Sequence, residues 1–558
     1  MKTRAPGSGE SGGLWRRSLQ VARVAIRYLL WPRLRGRGGG AQRLREALEE
    51  LGGTWIKLGQ ALALRFDLLP ADYCLQLFQL LNQVRPFPAD QVRTVLEREL
   101  GKPVETLFRT FDWDPVAAAS IGQVHRAELP DGTPVAVKVQ RPGISSLVRS
   151  DLKLMRQLAL LIDAWPSSRY ARARDLVREF ARWTEEELDY RIEARHASVL
   201  RRNAADDPFE RNPRVFPAYT TSRVLTLEYL AGISVIDIVA ALRRGDPAFL
   251  ERLAAEGHDT RRIASHIVWN ALNQIYRFGF FHADPHPANL IVLDGDAIGY
   301  VDFGIVGKLD GETTDSLRYF AQSLFAGHAG RAIDEFLQFL TPSRRTDLAA
   351  ARRDLMEAMK SYVESARVSP QELVHSEEIF EIEMLSLVRK HRMALSPDAA
   401  RYLKAVLTAE ATVKELDPNF DLAEHENRFF GRLMLLETRE SLSPRRIAQW
   451  LLDARFRVRN VLSSLEGLRS APGHVVSVAR DVRRRVQTIS LLAILGWGTV
   501  LAMTWAGGGE ILGFSFRSIA LVGAAASLLL LIFSLREVRR LPSESDPPRI
   551  GQYPRRVR

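Results

Sequence analysis

The sequence predicts an α+β chain with a helical N-terminal extension and a C-terminal two-helix transmembrane hairpin. Three observations carry that prediction. Apolar residues recur at three- and four-residue spacing over most of the chain, the mark of amphipathic helices. β-Branched runs and an Asp-Gly turn cluster between residues 121 and 306. Two uncharged runs of eighteen residues each, 489–506 and 518–535, stand near the C-terminus. A chain of 558 residues is long enough for two or three structural units, and its 46% hydrophobic and 26% charged residues are globular values. One cysteine, Cys74, excludes a disulfide framework and any multi-cysteine metal site. Its apolar helical surroundings place it in a core.

Residues 1–45 form a basic segment. They carry +10 of the chain's net +12, residues 472–558 carry +7, and the remainder is left at −5. Positive charge at the two ends of an acidic middle suits ends held near anionic lipid and argues against a nucleic-acid-binding surface. Within the segment, 14–31 places Arg16, Gln20, Arg23 and Arg27 at helical spacing among Trp15, Tyr28 and Trp31. That pattern suits an interfacial amphipathic helix or one packed on its own domain. Gly7-Ser8-Gly9-Glu10-Ser11-Gly12 fits G-x-G-x-x-G, but no strand precedes it and it reads as a polar tail. Residues 46–115 continue as a helical extension.

Strands begin at Ile121. Residues 124–129, a Pro130-Asp131-Gly132-Thr133 turn and 134–140 form a hairpin; helices return over 144–202, and 223–230 is a further strand. From 231 to 440 the pattern is helical, with strand signals only around 281–306 and almost none after Asp310. A basic helical connector, 441–487, leads to the hairpin at 488–535. Each apolar run would span about 27 Å as a helix, close to the hydrocarbon thickness of a bilayer. Arg480, Arg483, Arg484 and Arg485 precede the first run, and Arg536, Arg539 and Arg540 follow the second. By the positive-inside rule both flanks, including the basic tail 536–558, stay cytoplasmic.

Four polar groups in order suggest phosphoryl transfer. Val135-Ala136-Val137-Lys138 puts a lysine at a strand end, and Glu193 follows on a helix 55 residues later. Asp284 and Asn289 lie five apart in a loop; Asp302-Phe303-Gly304 follows. ATP chemistry needs a cation on the α/β-phosphates, an acid to orient it, and oxygen ligands for Mg²⁺. Lys138 and Glu193 suit the first pair, Asn289 and Asp302 the metal, and Asp284 the orientation of an acceptor hydroxyl or water. The scattered His125, His282 and His286 do not suggest a metal site, and His286 between two prolines suits loop shaping.

These motifs resemble the protein-kinase set V-A-I-K, D-x-x-x-x-N and D-F-G, with two departures. The catalytic loop reads Asp284-Pro285-His286-Pro287-Ala288-Asn289, and Ala117-Ala118-Ala119-Ser120-Ile121-Gly122-Gln123-Val124 stands where a glycine-rich loop would be. With Lys57-Leu58-Gly59-Gln60 and Glu187-Leu188-Asp189, the chain resembles the UbiB/AarF family of atypical kinases, which carry K-x-G-Q, an alanine-rich loop, E-x-D and D-P-H-P-G-N. Ala288 departs from that family's glycine.

The resemblance implies a protein-kinase-like two-lobed fold, with an N-lobe at 116–230 and a helical C-lobe at 231–440. It implies ATP and Mg²⁺ as cofactors, with Ala117 to Gly122, Val124 and Lys138 at the nucleotide. Backbone groups from Glu228 to Leu230 would meet adenine, although a plain core strand suits that segment equally. It sets Lys57 and Gln60 against Glu187 and Asp189 over the site. It further implies slow ATP hydrolysis or small-molecule phosphorylation supporting isoprenoid-quinone biosynthesis, at the inner membrane with the kinase-like domain facing the cytoplasm. Membrane lipids, quinone precursors and quinone-biosynthesis proteins would be the partners. A nucleotide-binding scaffold and an ordinary Ser/Thr kinase are the alternatives.

Overall fold

The computed structural model describes residues 8–30, 39–63, 65, 67–80, 85–164, 173–343, 345–368, 373–441, 510–511 and 514–515. The chain divides into two units, 1–430 and 431–558.

In the first unit, the N-terminal helices are α1 (Ser8–Ala25), α2 (Gly40–Leu51), α3 (Thr54–Ala63), α4 (Ala71–Leu77), α5 (Ala89–Leu100) and α6 (Val104–Leu107). Ser8 to Gly12 open α1, so these residues of the glycine-containing segment are helical. One side of α1 packs inward through Val21 and Val24, while Trp15 and Leu19 remain exposed, as does Ile26 in the π-helical turn that follows, Ile26–Leu30. Arg17 anchors it: Nε lies 2.7 Å from the buried Asp151 carboxylate, and Nη2 donates to the Leu51 carbonyl. Cys74 is fully buried, and burial pushes its thiol up to about 12.

The first sheet runs β1 (Thr110–Phe111), β3 (Gly122–Glu128), β4 (Pro134–Gln140), β6 (Val224–Glu228), with β2 (Ala117–Ala118) also on β3. It starts eleven residues before the first expected strand because β1 and β2 have two residues each, too short for an alternation to show. Strand alternation explains the placement of Lys138. Val135, Val137 and Val139 point to one face and pack with Val92 and Leu96 of α5. Lys138 therefore takes the opposite face, toward α9 (Tyr190–Asn203).

Gln123 ties the extension to this sheet. Its Oε1 accepts from the Phe87 N–H at 2.8 Å, and its Nε2 donates to the Phe87 carbonyl and to His125 Nε2. The side-chain amide thus stands in for a strand partner, satisfying a buried peptide group. His125 Nδ1–H donates to the Asp112 carbonyl, and burial lowers the ring's pKa.

Two further helices, α7 (Ile144–Asp163) and α8 (Ala173–Glu186), precede α9. After β6 the chain crosses to a second sheet of order β5 (Glu210–Arg211), β10 (Ile298–Tyr300), β9 (Leu290–Val292), β7 (Ile233–Ser234). A separate antiparallel pair joins β8 (Phe280–His282) to β11 (Val306–Lys308). The helical part comprises α10 (Val235–Arg244), α11 (Pro247–Ala255), α12 (Thr260–Leu272), α13 (Gly311–Phe325), α14 (Ala329–Phe336), α15 (Leu348–Val368), α16 (Leu373–Lys390), α17 (Pro397–Leu416) and α18 (Leu422–Ser441), the last continuing past the unit boundary. Side chains of Asp246, Asp259, Asp310 and Ser396 cap α11, α12, α13 and α17 by accepting first-turn N–H groups. The nearly unbroken helix expected after Asp310 is interrupted by β12 (Leu340–Pro342) and β13 (Met393–Leu395), which pair across some fifty residues. A three-residue strand paired at that distance leaves no local signal.

In the second unit, β14 (Glu510–Ile511) and β15 (Phe514–Ser515) pair antiparallel, turning the chain between the two apolar runs. The runs themselves, the connector beyond residue 441 and the tail 536–558 lie outside the described residues. Among the described residues no helix is long and apolar enough to cross a membrane.

Candidate active site

The site forms where β4, α9 and the loops around β8–β11 meet. Lys138 Nζ lies 2.7 Å from Glu193 Oε1 and 3.3 Å from Asp302 Oδ2. Glu193 Oε1 also accepts from the Phe303 N–H at 3.3 Å, so one carboxylate holds both the lysine and the Asp302-Phe303-Gly304 turn. Phe303 is fully buried, and Asp302 Oδ1 accepts from Gly304 N at 2.8 Å.

Electrostatics follow from this packing. Burial alone would lower the pKa of Lys138, but the Asp302 and Glu193 carboxylates overcome it and raise it above the ordinary lysine value. Asp302 is held below the usual carboxylate range: burial opposes ionisation, and the Lys138 ammonium and the Gly304 N–H outweigh it. Burial pushes Glu193 up despite its lysine partner.

The β9–β10 ladder sets Asn289 opposite Val301, the residue before Asp302. Leu290 sits opposite Tyr300, and the Val301 N–H donates to the Asn289 carbonyl at 3.1 Å, so the next residues outward meet at the ladder's end. An amide oxygen and a carboxylate are hard donors suited to a cation that keeps most of its shell for water and phosphate. The loop between Asp284 and Asn289 holds itself in shape: Asn289 Nδ2 donates to the Asp284 carbonyl at 3.0 Å, and Ala288 N to His286 Nδ1 at 3.3 Å. His286 thus shapes the loop by capping its 3₁₀ turn.

Two residues that the sequence reading did not place in the site belong to it. His282, fully buried among aromatic rings, accepts from the Asp284 N–H at Nδ1 and donates from Nε2 to the Asp302 carbonyl. It clasps the Asp284 loop to the Asp302 turn as a neutral ring, its pKa lowered by burial. Lys404 of α17 reaches Asp284, Nζ to Oδ2 3.1 Å. Aromatic-flanked F-H-A-D was the only available signal for His282, and nothing local pointed to Lys404, 120 residues from its partner.

The alanine segment makes a tight turn. Ala117 and Ala118 pair with Val124 and Gln123, the Ala119 N–H donates to the Gly122 carbonyl at 2.7 Å, and Ser120 and Ile121 are buried. A Cβ on residue 122 would strike the Tyr190 hydroxyl and the Val139 carbonyl, which accounts for Gly122. At the other rim the Glu228 carboxylate is taken by Arg201, Arg211 and the Arg214 N–H. The carboxylate is therefore committed to these three arginines. Residues 229–232 are the crossing between the two sheets.

The expected four-residue gate divides. Lys57 forms an ion pair with Glu187, both side chains nearly buried. Asp189 instead caps α9 and binds Arg191, Oδ2 to Nη2 2.7 Å, while Gln60 Nε2 donates to the Leu80 carbonyl at 3.2 Å. An N-cap is the nearest use for an aspartate just before a helix, so Glu187 alone remains for the lysine.

Burial lowers Lys57 to about 8, with the Asp302 and Glu193 carboxylates pulling up and the Lys138 and Lys404 cations pushing down. Between that value and its ordinary 10.5 the unfolded chain holds a proton that the folded chain has shed. Wild-type stability relative to Lys57→Met should therefore rise with pH through this window and stay level below it. Thermal melts of both proteins from pH 7 to 10.5 check the sign; a difference independent of pH would mean that Lys57 is not desolvated.

The ABC1 atypical kinase-like domain matches residues 79–334, which contain Lys138, Glu193, Asp284, Asn289 and Asp302. A probable protein kinase UbiB of Marinobacter nauticus is 34% identical over 407 residues, covering 68% of this chain and 67% of its own. A protein of the same name from Pseudomonas fluorescens is 30% identical over 472 residues, covering 83% and 82%. An uncharacterized protein of Synechocystis is 29% identical over 576 residues, covering 98% and 97%. With Lys138, Glu193, Asp284, Asn289 and Asp302 inside the matched span and the likeness extending over most of both chains, this protein belongs to the UbiB/ABC1 family of atypical kinase-like proteins.

Proposed function

We propose that the chain is a membrane-anchored atypical kinase or ATPase that binds Mg-ATP and supports ubiquinone or another isoprenoid-quinone biosynthesis. The observation that carries the nucleotide reading is the Lys138 ammonium held 2.7 Å from Glu193 and 3.3 Å from Asp302. A buried lysine kept charged between two carboxylates is the device needed to receive α- and β-phosphate oxygens. Asn289 and Asp302 would hold Mg²⁺, which supplies charge neutralisation at the β- and γ-phosphates when bound. Asp284 would orient an acceptor hydroxyl or water and take its proton as the new P–O bond forms and the bond to the departing ADP oxygen breaks.

The quinone assignment rests on the relatives named UbiB. Membrane anchoring rests on the sequence: the apolar runs 489–506 and 518–535 with their flanking arginines, the basic ends, and the exposed Trp15 and Leu19 on α1. Both flanks of such a hairpin would lie on the cytoplasmic side of the inner membrane, with the kinase-like domain.

The test is nucleotide binding by the full-length protein in detergent. ATP or ADP at about a hundredfold excess over Kd should stabilise it by roughly 2.7 kcal/mol, seen as a Mg-dependent rise in melting temperature. No rise with either nucleotide would overturn the reading, and a rise without phosphate release would favour a nucleotide-binding scaffold.

A further inference from the structure

Helix α17 lies beyond the matched kinase-like span, yet it grips the Asp284 loop at two points. Lys404 Nζ sits 3.1 Å from Asp284 Oδ2, and Thr412, about two turns on, shares its hydroxyl proton between the Pro285 carbonyl at 3.0 Å and the Thr408 carbonyl of its own helix at 2.8 Å. The helix is itself anchored at its start. Asp67, buried against Arg65, accepts from the Leu395 N–H at 3.0 Å, and Ser396 then caps α17. The extension that carries Lys57 and the loop that carries Asp284 are thus joined through one helix.

The loop from Asp284 to Asn289 contains no lysine or arginine. Lys138, held between Glu193 and Asp302, is assigned to the α- and β-phosphates, and Lys57 is paired with Glu187. Lys404 is the cation set against Asp284, and both side chains remain partly open, 22% and 32% exposed. A terminal phosphate arriving beside Asp284 would bring negative charge against a carboxylate, which is unfavourable unless a cation lies between them. We propose that Lys404 is the terminal-phosphate cation of this site. It rests on Asp284 when the site is empty and bridges carboxylate and γ-phosphate when a nucleoside triphosphate is bound. The residue would make the site distinguish triphosphate from diphosphate. This deepens the Mg-ATP reading and rests on it.

The experiment compares the full-length protein with Lys404→Met, Lys404→Gln and Lys404→Arg, measuring the Mg-dependent affinities of a non-hydrolysable ATP analogue and of ADP. Loss of one charge-assisted phosphate contact should weaken the analogue about tenfold in the Met and Gln variants. ADP affinity should stay near that of wild type, and Lys404→Arg should recover most of the analogue's binding. Equal losses for both nucleotides would make Lys404 a structural strap, and no loss for either would leave it without a phosphate contact; both overturn the proposal. Absence of binding by the wild-type protein would instead overturn the Mg-ATP reading beneath it. Thr412→Val separates strap from charge, since it removes a loop contact without removing a cation. It should leave the ratio of the two affinities unchanged, and an altered ratio would assign discrimination to loop shape and overturn the charge proposal.

Discussion

Asp302→Asn should remove most of the Mg-dependent rise in melting temperature and lower ATP hydrolysis on the order of 10²–10³-fold. The substitution keeps the side chain's size and leaves an oxygen for the Gly304 N–H, so the turn itself should persist. What it removes is the negative charge that faces Lys138 at 3.3 Å and would face the cation. Binding without Mg²⁺ should change far less than binding with it, and that contrast is the decisive readout. If the asparagine variant retains a full Mg-dependent shift, the metal is held elsewhere.

Lys138→Met should act on stability as much as on the nucleotide. It leaves Glu193, only 6% exposed at its side chain, without its cation. Removing one partner of a buried pair costs about 3–5 kcal/mol because the other charge stays desolvated. Burial already raises Glu193, and without Lys138 it would rise further, so the folded variant would bind a proton that the unfolded chain releases near its ordinary 4.5. The deficit should therefore be largest near neutrality and shrink as the pH falls toward that value. Glu193→Gln in the same background should recover part of the loss, and a double-mutant cycle should show coupling. Additive losses would mean that the 2.7 Å pair contributes nothing beyond its separate groups.

Residues whose roles depend on local pattern were readable before any coordinates. The alternation around Val135, Val137 and Val139 assigns Lys138 to the opposite face of β4, and the helical spacing around Glu193 requires a helix there. The spacing of Asp284, Asn289 and Asp302 was visible because a short loop and a three-residue ladder separate them. The buried Cys74 and the Asp131-Gly132 turn followed in the same way. Gln60 and Asp189 show where pattern ran short: each carries a motif, yet one is bonded to a backbone carbonyl and the other caps the helix it precedes.

Sequence periodicity and motif order determined the longer helices and the central strands, the faces of β4 and the identities of the charged groups, because each depends on neighbours within a few residues. The tertiary structure decided which groups meet. Lys57 finds Glu187 across 130 positions, Lys138 finds Asp302 across 164, and Lys404 arrives at Asp284 from a helix beyond the matched domain. It also decided that Gln123 would serve as a peptide partner for Phe87, and that His282 would join two loops as a neutral ring. Such pairings leave no local trace: bringing distant segments together costs chain entropy, and the packing of the whole core, not the pair itself, supplies the compensating free energy.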